Sequence, residues 1–347
     1  MTKLTIAYAN TIDFYHPLKQ RPQHLMEGLS RRGHQILWVN QTKNPDIFRT
    51  RISDNFTIYH DWEKFVNKFK GTIDILYTSW SHRWVDIEQL QPNICTIYDS
   101  LDKFSQNESQ EEIMLQKANI VLTTTSKLLE ERKIHNPNIY LCPNGCFTEL
   151  GNKQYPIPSD LQNLPKPWIL FSGALSDSTT EHGWCDLDLV KKISEKFTLI
   201  VVGQPWGISP KNNYKLKNIK FLGTKSYEEL QKYYSNADVN ILPFANNQVA
   251  QYSQPLKVIE ALSHGKINVC TNIIEAKLLN QKNPNVVYIS RNHDEFIQNI
   301  YKALKYKDSL DIQNQARELA SEYDWEKQID VFERAIGDFC KSKEFKL

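Results

Sequence analysis

Lys257 and Glu260 stand three residues apart, directly behind the polar run Ser253-Gln254-Pro255-Leu256. A proline after a polar stretch starts a helix, and a helix N-terminus offers free N–H groups and a positive dipole end. That combination suits a phosphate, and Lys257 adds a point charge to it. Three residues further on, Glu260 falls on roughly the same helix face, where a carboxylate set behind a phosphate suits the hydroxyls of a ribose. The segment therefore reads as a cradle for a nucleoside diphosphate that uses no glycine-rich loop. An ordinary amphipathic helix ending near Gly265, before the apolar run Ile267 to Cys270, would show the same pattern.

The elements needed to position these residues follow from the periodicity. Short apolar strands alternate with amphipathic helices, the pattern of parallel β-α units. Strands are expected at Leu4–Ala9, Gln35–Asn40, Ile73–Thr78, Ile94–Tyr98, Ile120–Thr124 and Ile139–Leu141, with helices at Gln23–Arg32, Glu108–Lys117 and Ser126–Lys133. The stretch from Asn152 to Pro167, with four prolines, breaks the rhythm and reads as a linker. A second series follows, with strands from Trp168 and helices such as Ser226–Asn236 and Pro255–His264, and two helices finish the chain, the last from about Trp325. The long polar loop Ala245–Gln254, rich in amides, marks a functional connection. The expected fold class is α/β, two doubly wound Rossmann-like domains facing a cleft at the carboxyl ends of their strands. The expected boundaries are 1–155, 156–324 and a final helix, 325–347, crossing back to the first domain.

Composition agrees with this picture. A chain of 347 residues is long for a single core. Lys+Arg 42 against Asp+Glu 40 leaves a net charge of +2, which gives no reason to expect a nucleic-acid partner. No apolar run approaches the roughly 20 residues of a bilayer span. Met1 to Asn10 lacks the features of a signal peptide, so a cytoplasmic location is expected. The six cysteines lie mostly in apolar runs, as reduced core thiols do, and Cys142 and Cys146 have no second pair to complete a metal site.

The order of short motifs resembles the glycosyltransferases of the two-domain GT-B fold, specifically the family-4-like group (glycosyl transferases group 1), many of which assemble bacterial surface polysaccharides. Arg21-Pro22-Gln23-His24-Leu25 and Gly33-His34-Gln35-Ile36 look like that family's first helix and second strand. Tyr98-Asp99-Ser100-Leu101-Asp102 is similar to a YD-x-x-D segment of one branch, and Pro143-Asn144-Gly145 to the turn before the linker. Further on, Phe171-Ser172-Gly173, Val201-Val202-Gly203, Phe221-Leu222-Gly223 and Ala237-Asp238-Val239 with Pro243 follow in the family's order, as does Trp325-Glu326 at the last helix. Two departures stand out. Position 252 is Tyr where the family often has a first glutamate eight residues before Glu260, and Ser176 to His182 lacks the Arg and Lys often found there.

The resemblance implies a transferase that moves a sugar from a nucleotide-diphosphate donor, UDP ahead of GDP, to a glycan, lipid-linked or other hydroxyl acceptor, with retention and without a metal or other cofactor. It implies a donor site of Gly173, Gln204, Leu222, Thr224, Ser253, Gln254, Pro255, Leu256, Lys257 and Glu260. In the first domain it implies an acceptor site including Arg21 and Tyr98, with His16, facing the cleft, as a candidate catalytic residue beside Asp99 and Asp13. Should the enzyme invert, Asp99 is the first candidate for the base and Asp13 the second; should it retain, the leaving diphosphate takes the proton and domain closure excludes water. A sugar-nucleotide 2-epimerase of the same fold and a non-catalytic sugar-nucleotide or glycan binder are the alternatives.

Two signals admit plainer readings. Trp62, Phe65, Val66 and Phe69, flanked by Lys64, Lys68 and Lys70, fit either a helix packed on the first sheet or a surface helix that would place the protein peripherally at the inner face of a membrane. Of the histidines, His34 is expected to be structural, His264 to answer its helix dipole, and His16 and His182 to lie in loops facing the cleft.

Overall fold

The computed structural model describes residues 3–16, 19–90, 94–103, 107–178, 183–206 and 218–343. The chain forms two compact units, one of Met1–Asn144 with Trp325–Leu347, the other of Gly145–Asp324.

The first unit is built on strands β1 (Thr5–Tyr8), β2 (Gln35–Val39), β3 (Arg49–Ser53), β4 (Phe56–Tyr59), β5 (Ile75–Thr78), β6 (Cys95–Ser100), β7 (Ile120–Thr123) and β8 (Ile139–Leu141). They form one sheet in the order β3-β4-β2-β1-β5-β6-β7-β8. All neighbours are parallel except β3 and β4. Strands such as β7, Ile-Val-Leu-Thr and buried along its whole length, read as apolar runs because helices cover both faces of a parallel sheet. The chain leaves β1 toward β2 on one side and returns to β5 on the other, so the sheet has its topological switch point between β1 and β5.

The β3–β4 hairpin escapes the sequence reading because β3, Arg49-Thr-Arg-Ile-Ser, is a mostly exposed edge with no buried face to impose a period. The helix Trp62–Phe69 starts at Asp61, whose carboxylate accepts from the Lys64 N–H at 3.1 Å. Phe65 and Val66 are buried, and the Phe65 ring lies 5.1 Å from that of Tyr59 on β4. The apolar stripe is thus core packing, which overturns the membrane-surface reading of this helix. Among the described residues no helix is long and apolar enough to cross a membrane.

The last helix, Trp325–Lys343, belongs to the first unit. Phe332 packs 5.4 Å from Tyr77, Trp325 stacks on His24 at 4.8 Å, and Arg32 pairs with Glu326, Asp330 and Glu333.

The second unit holds β9 (Trp168–Ser172), β10 (Leu175–Ser176), β11 (Thr198–Val202), β12 (Pro205–Trp206), β13 (Ile219–Phe221), β14 (Val239–Leu242), β15 (Asn268–Thr271) and β16 (Val287–Ser290). Six of them form an all-parallel sheet, β13-β11-β9-β14-β15-β16, while β10 pairs with β12. The division between units falls at Asn144/Gly145, ahead of the expected boundary at 155. The reason is visible in the contacts of the intervening residues. The Cys146 N–H donates to the Tyr323 carbonyl at 2.9 Å, Thr148 Oγ1 and N–H both donate to Asp324 Oδ2, and a Cβ at Gly151 would lie 2.1 Å from the Ser263 carbonyl oxygen. The proline-rich stretch is therefore part of the second unit. A helix at Leu310–Ser321 was also missed, because its buried side is a narrow row, Ala316, Leu319 and Ala320.

Candidate functional site

The carboxyl ends of β9, β11 and β13 meet in glycines. The Gly173 N–H donates to the Val202 carbonyl at 2.9 Å, and the Gly203 N–H to the Gly223 carbonyl at 2.9 Å. Gly203 has φ +148, and a Cβ there would lie 2.0 Å from the Gly173 carbonyl oxygen, so no side chain fits. A Cβ at Gly223 would meet nothing within 4 Å. The result is a rim of glycine backbone over adjacent strands, buried at Gly203 and half-buried at Gly173 and Gly223. Gln204 is exposed, and Leu222 and Thr224 are half-buried beside the rim. Leu222 packs against the cluster that holds Tyr234 and Ala261.

The helix Leu256–Ser263 connects to this rim through side chains. Lys257 Nζ donates to Glu260 Oε2 at 3.0 Å, and the Tyr234 hydroxyl donates to the same oxygen at 2.8 Å. Ser172 Oγ in turn lies 2.5 Å from the Tyr234 oxygen, one residue before Gly173. Glu260 is almost fully buried, so this chain of hydrogen bonds fixes the carboxylate and ties it to the end of β9. Burial and the Glu260 charge together raise the Tyr234 phenol well above its ordinary range, keeping it a donor. Pro255 stands at the N-cap, and no side-chain hydrogen bond closes this helix start. Its Leu256 N–H turns to the Gln254 carbonyl at 2.8 Å.

The remaining expected donor residues are placed unevenly. Gln254 Oε1 is buried with no hydrogen-bond partner among the described residues. The Ser253 hydroxyl donates to the Val249 carbonyl at 2.8 Å, closing the short helix Gln248–Tyr252. That helix occupies much of the stretch expected as a loop, and its last residue, Tyr252, is buried. Tyr234 completes the arrangement although sequence reasoning gave it no role, and the Ser172 hydroxyl bonds it. The glycines were legible as strand ends; the two hydroxyls carried no local signal.

In the first unit the expected site residues lie in hydrogen-bonded networks. Asp99 is fully buried. Its Oδ2 accepts from Arg21 Nε at 2.7 Å and from the Tyr77 hydroxyl at 2.5 Å, and its Oδ1 from Arg21 Nη2 at 3.2 Å. Arg21 Nη1 reaches the Pro143 carbonyl at 2.8 Å. Burial pulls the Arg21 guanidinium down, but Asp99 more than offsets this and the net shift is upward. Both oxygens of this buried carboxylate are engaged, as in a structural anchor that ties Arg21 to β5 and β6.

Tyr98 points to the opposite sheet face, as alternation along β6 requires. Its hydroxyl donates to Glu111 at 3.1 Å, and Glu111 is held by Arg132 at 3.0 and 2.7 Å, all buried beneath helices. Asp13 is half-buried at a loop, where it accepts from the Thr42 N–H at 2.8 Å and Thr42 Oγ1 at 2.6 Å. His16 is exposed nearby, and His182 lies outside the described residues. His264 is buried, its Nε2 2.8 Å from Gln231 Oε1, and burial pushes its imidazole down to about 3. It is thus neutral and cannot answer a helix dipole as a cation, contrary to the expectation.

Two units, the first with a mostly parallel sheet and the second with an all-parallel one that carries a glycine rim beside the buried Glu260 and its partner Lys257, define an α/β fold of the GT-B glycosyltransferase type. Solved structures of that fold match nearly the whole chain. Sucrose-phosphate synthase from Thermosynechococcus elongatus matches with TM-score 0.71 and 17% identity over 99% of this chain and 100% of its own. A glycosyltransferase from Rickettsia africae matches with TM-score 0.67 and 15% identity over 98% and 99%. The Anabaena protein HepE, solved in complex with UDP, matches with TM-score 0.66 and 14% identity over 97% and 100%. Residues 166–306, which contain the rim, Lys257 and Glu260, match the family model of the glycosyl transferases group 1. A comparison with curated proteins returned no match.

Proposed function

We propose that this protein is a glycosyltransferase that takes a sugar from a nucleoside-diphosphate donor, UDP-linked, and moves it to a hydroxyl acceptor. The observation that carries this reading is the juxtaposition of the glycine rim with the Ser172–Tyr234–Glu260–Lys257 chain inside the segment that matches the group 1 model. In this reading bare backbone at Gly173 and Gly203 admits the diphosphate, and Lys257 with the uncapped start of its helix neutralises it. Glu260, held by Tyr234, accepts from the ribose hydroxyls. Gln254 supplies a further polar contact, and Gln204, Leu222 and Thr224 border the base.

We favour a retaining course. Asp99 has both oxygens engaged and Asp13 holds Thr42, so neither stands ready to deprotonate an acceptor. The leaving diphosphate then takes the acceptor proton, and the protein's work is positioning and charge neutralisation. The motif resemblance to surface-polysaccharide enzymes leads us to propose cell-envelope glycans as the product and a course that needs no metal.

Calorimetry with UDP and GDP tests the donor site. UDP should bind, and Glu260→Ala and Lys257→Ala should each weaken it about tenfold or more, the loss of one charge-assisted hydrogen bond. Unchanged UDP affinity in Glu260→Ala would sink the donor assignment. Product analysis with UDP-sugars then separates transfer from epimerisation: a new epimer formed without acceptor would replace the transferase reading.

A further inference from the structure

The first unit carries a cavity of about 430 Å³, a volume within the range of small-ligand pockets. It lies along one face of the sheet, over β1, β2, β4 and the edge strand β3. Across neighbouring strands Thr5 pairs with Gln35, Leu37 with Thr57 and Arg49 with Tyr59, so alternation puts all six side chains on that face. The helix Trp62–Phe69 closes the cavity with its last turn, through Lys68 and Phe69. The Phe69 ring lies 5.2 Å from that of Tyr59. Lys68 Nζ lies 5.6 Å from the centres of the Phe69 and Phe48 rings, and Phe48 directly precedes Arg49. Two cations from different elements thus border one space.

No acidic side chain lines the cavity. The carboxylates around it are engaged elsewhere: Asp74 accepts from the Thr5 N–H at 2.6 Å, and Asp61 and Glu63 meet Lys43 at 3.1 and 3.7 Å. Among the described residues neither Arg49 nor Lys68 pairs with a carboxylate. The Thr5 and Thr57 hydroxyls and the Gln35 amide likewise make no hydrogen bond to another described residue. Burial raises the Tyr59 phenol beside Arg49, which keeps it protonated. A guanidinium fork, an ammonium and a set of hydroxyls suit an oxyanion with several acceptor oxygens. A phosphomonoester brings about two negative charges and three such oxygens, where a carboxylate brings one charge and two. The rest of the wall is apolar, formed by Leu37 and Phe69 with the Tyr59 ring, and a flat ring attached to the phosphate would cover it.

We propose that this cavity is a second ligand site, which binds a small aromatic phosphomonoester with its phosphate on Arg49 and Lys68 and its ring against Leu37 and Phe69. The site goes beyond the transferase reading and does not depend on it, since none of its residues belongs to the donor site. Calorimetry on the full chain tests it, with phenyl phosphate, inorganic phosphate and phenol as probes and excess UDP present to fill the donor site. Phenyl phosphate should bind at one site, about tenfold or more tighter than inorganic phosphate, and phenol should give no measurable binding. Arg49 and Lys68 are exposed, so Arg49→Gln and Lys68→Gln leave the core intact. Each should raise the Kd of phenyl phosphate about tenfold, the loss of one charge-assisted hydrogen bond, with the Kd of UDP unchanged. No binding of phenyl phosphate, or the same Kd in both variants as in the parent protein, would overturn the site. Equal affinity for inorganic and phenyl phosphate would overturn the aromatic ligand, and displacement of phenyl phosphate by UDP would assign it to the donor site instead. Failure of UDP itself to bind would count against the donor reading alone, and the two variants would still decide the second site.

Discussion

Glu260 and His264 show how the same helix treats two ionisable groups one turn apart. Lys257 and Tyr234 meet the Glu260 carboxylate at 3.0 and 2.8 Å, whereas burial leaves the His264 imidazole pushed down to about 3. The neutral imidazole bonds Gln231 through Nε2 and leaves Nδ1 buried without a partner. This has a consequence for stability. The unfolded chain takes up a proton on His264 near its ordinary 6.5, and the folded chain resists until about 3. The contribution is therefore fully present above pH 6.5 and is lost as pH falls toward 3. His264→Gln should keep the bond to Gln231 yet remove this slope. Below pH 6 its unfolding free energy should fall with acidification by up to about 1.4 kcal/mol per pH unit less than that of the parent, read from urea titrations at several pH values.

Among the elements, the strand ends of the second sheet make the most specific demand. Gly203 and Gly223 both have positive φ and both end strands, but their surroundings differ. At Gly203 a methyl group would strike the Gly173 carbonyl at 2.0 Å, a backbone atom that cannot swing away. Gly203→Ala should lower stability by several kcal/mol (about 3 or more) and abolish UDP binding. Gly223→Ala meets open space and should cost only the left-handed penalty of about 1–2 kcal/mol, seen in the denaturation midpoint, with UDP binding reduced far less. Equal effects of the two variants would mean that the rim is not the ligand's approach. The strands themselves were readable from their apolar runs. The β3–β4 hairpin and the helix Leu310–Ser321 were not, since an exposed edge and a stripe of small residues leave little periodic signal.

For the molecule as a whole, each unit has its own core. In the first, Leu37, Phe65 and Leu76 pack in one cluster; in the second, Phe171, Ile193 and Phe296 do. Scanning calorimetry should then resolve two transitions. UDP should raise only the transition of the second unit, by about 2.7 kcal/mol of stabilisation at a hundredfold excess over its Kd. A UDP-induced shift confined to the other transition would contradict the assignment of the donor site.

The chain's own letters determined the alternation of strands and helices, the presence of two such series and the Lys257–Glu260 spacing, because these depend on local periods of 2 and 3.6 residues. They also determined which strands end in glycine. Only the tertiary structure decided what the polar residues face. Asp99 and Tyr98 are neighbours in sequence, yet one is locked to Arg21 and Tyr77 and the other to Glu111, on opposite faces of β6. Tyr234 and Ser172 reach Glu260 from elements far away in the chain, and Gly145–Gly151 joins the second unit through contacts with Ser263, Tyr323 and Asp324. Burial and hydrogen-bond partnership are set by residues remote in sequence, so no local pattern carries them.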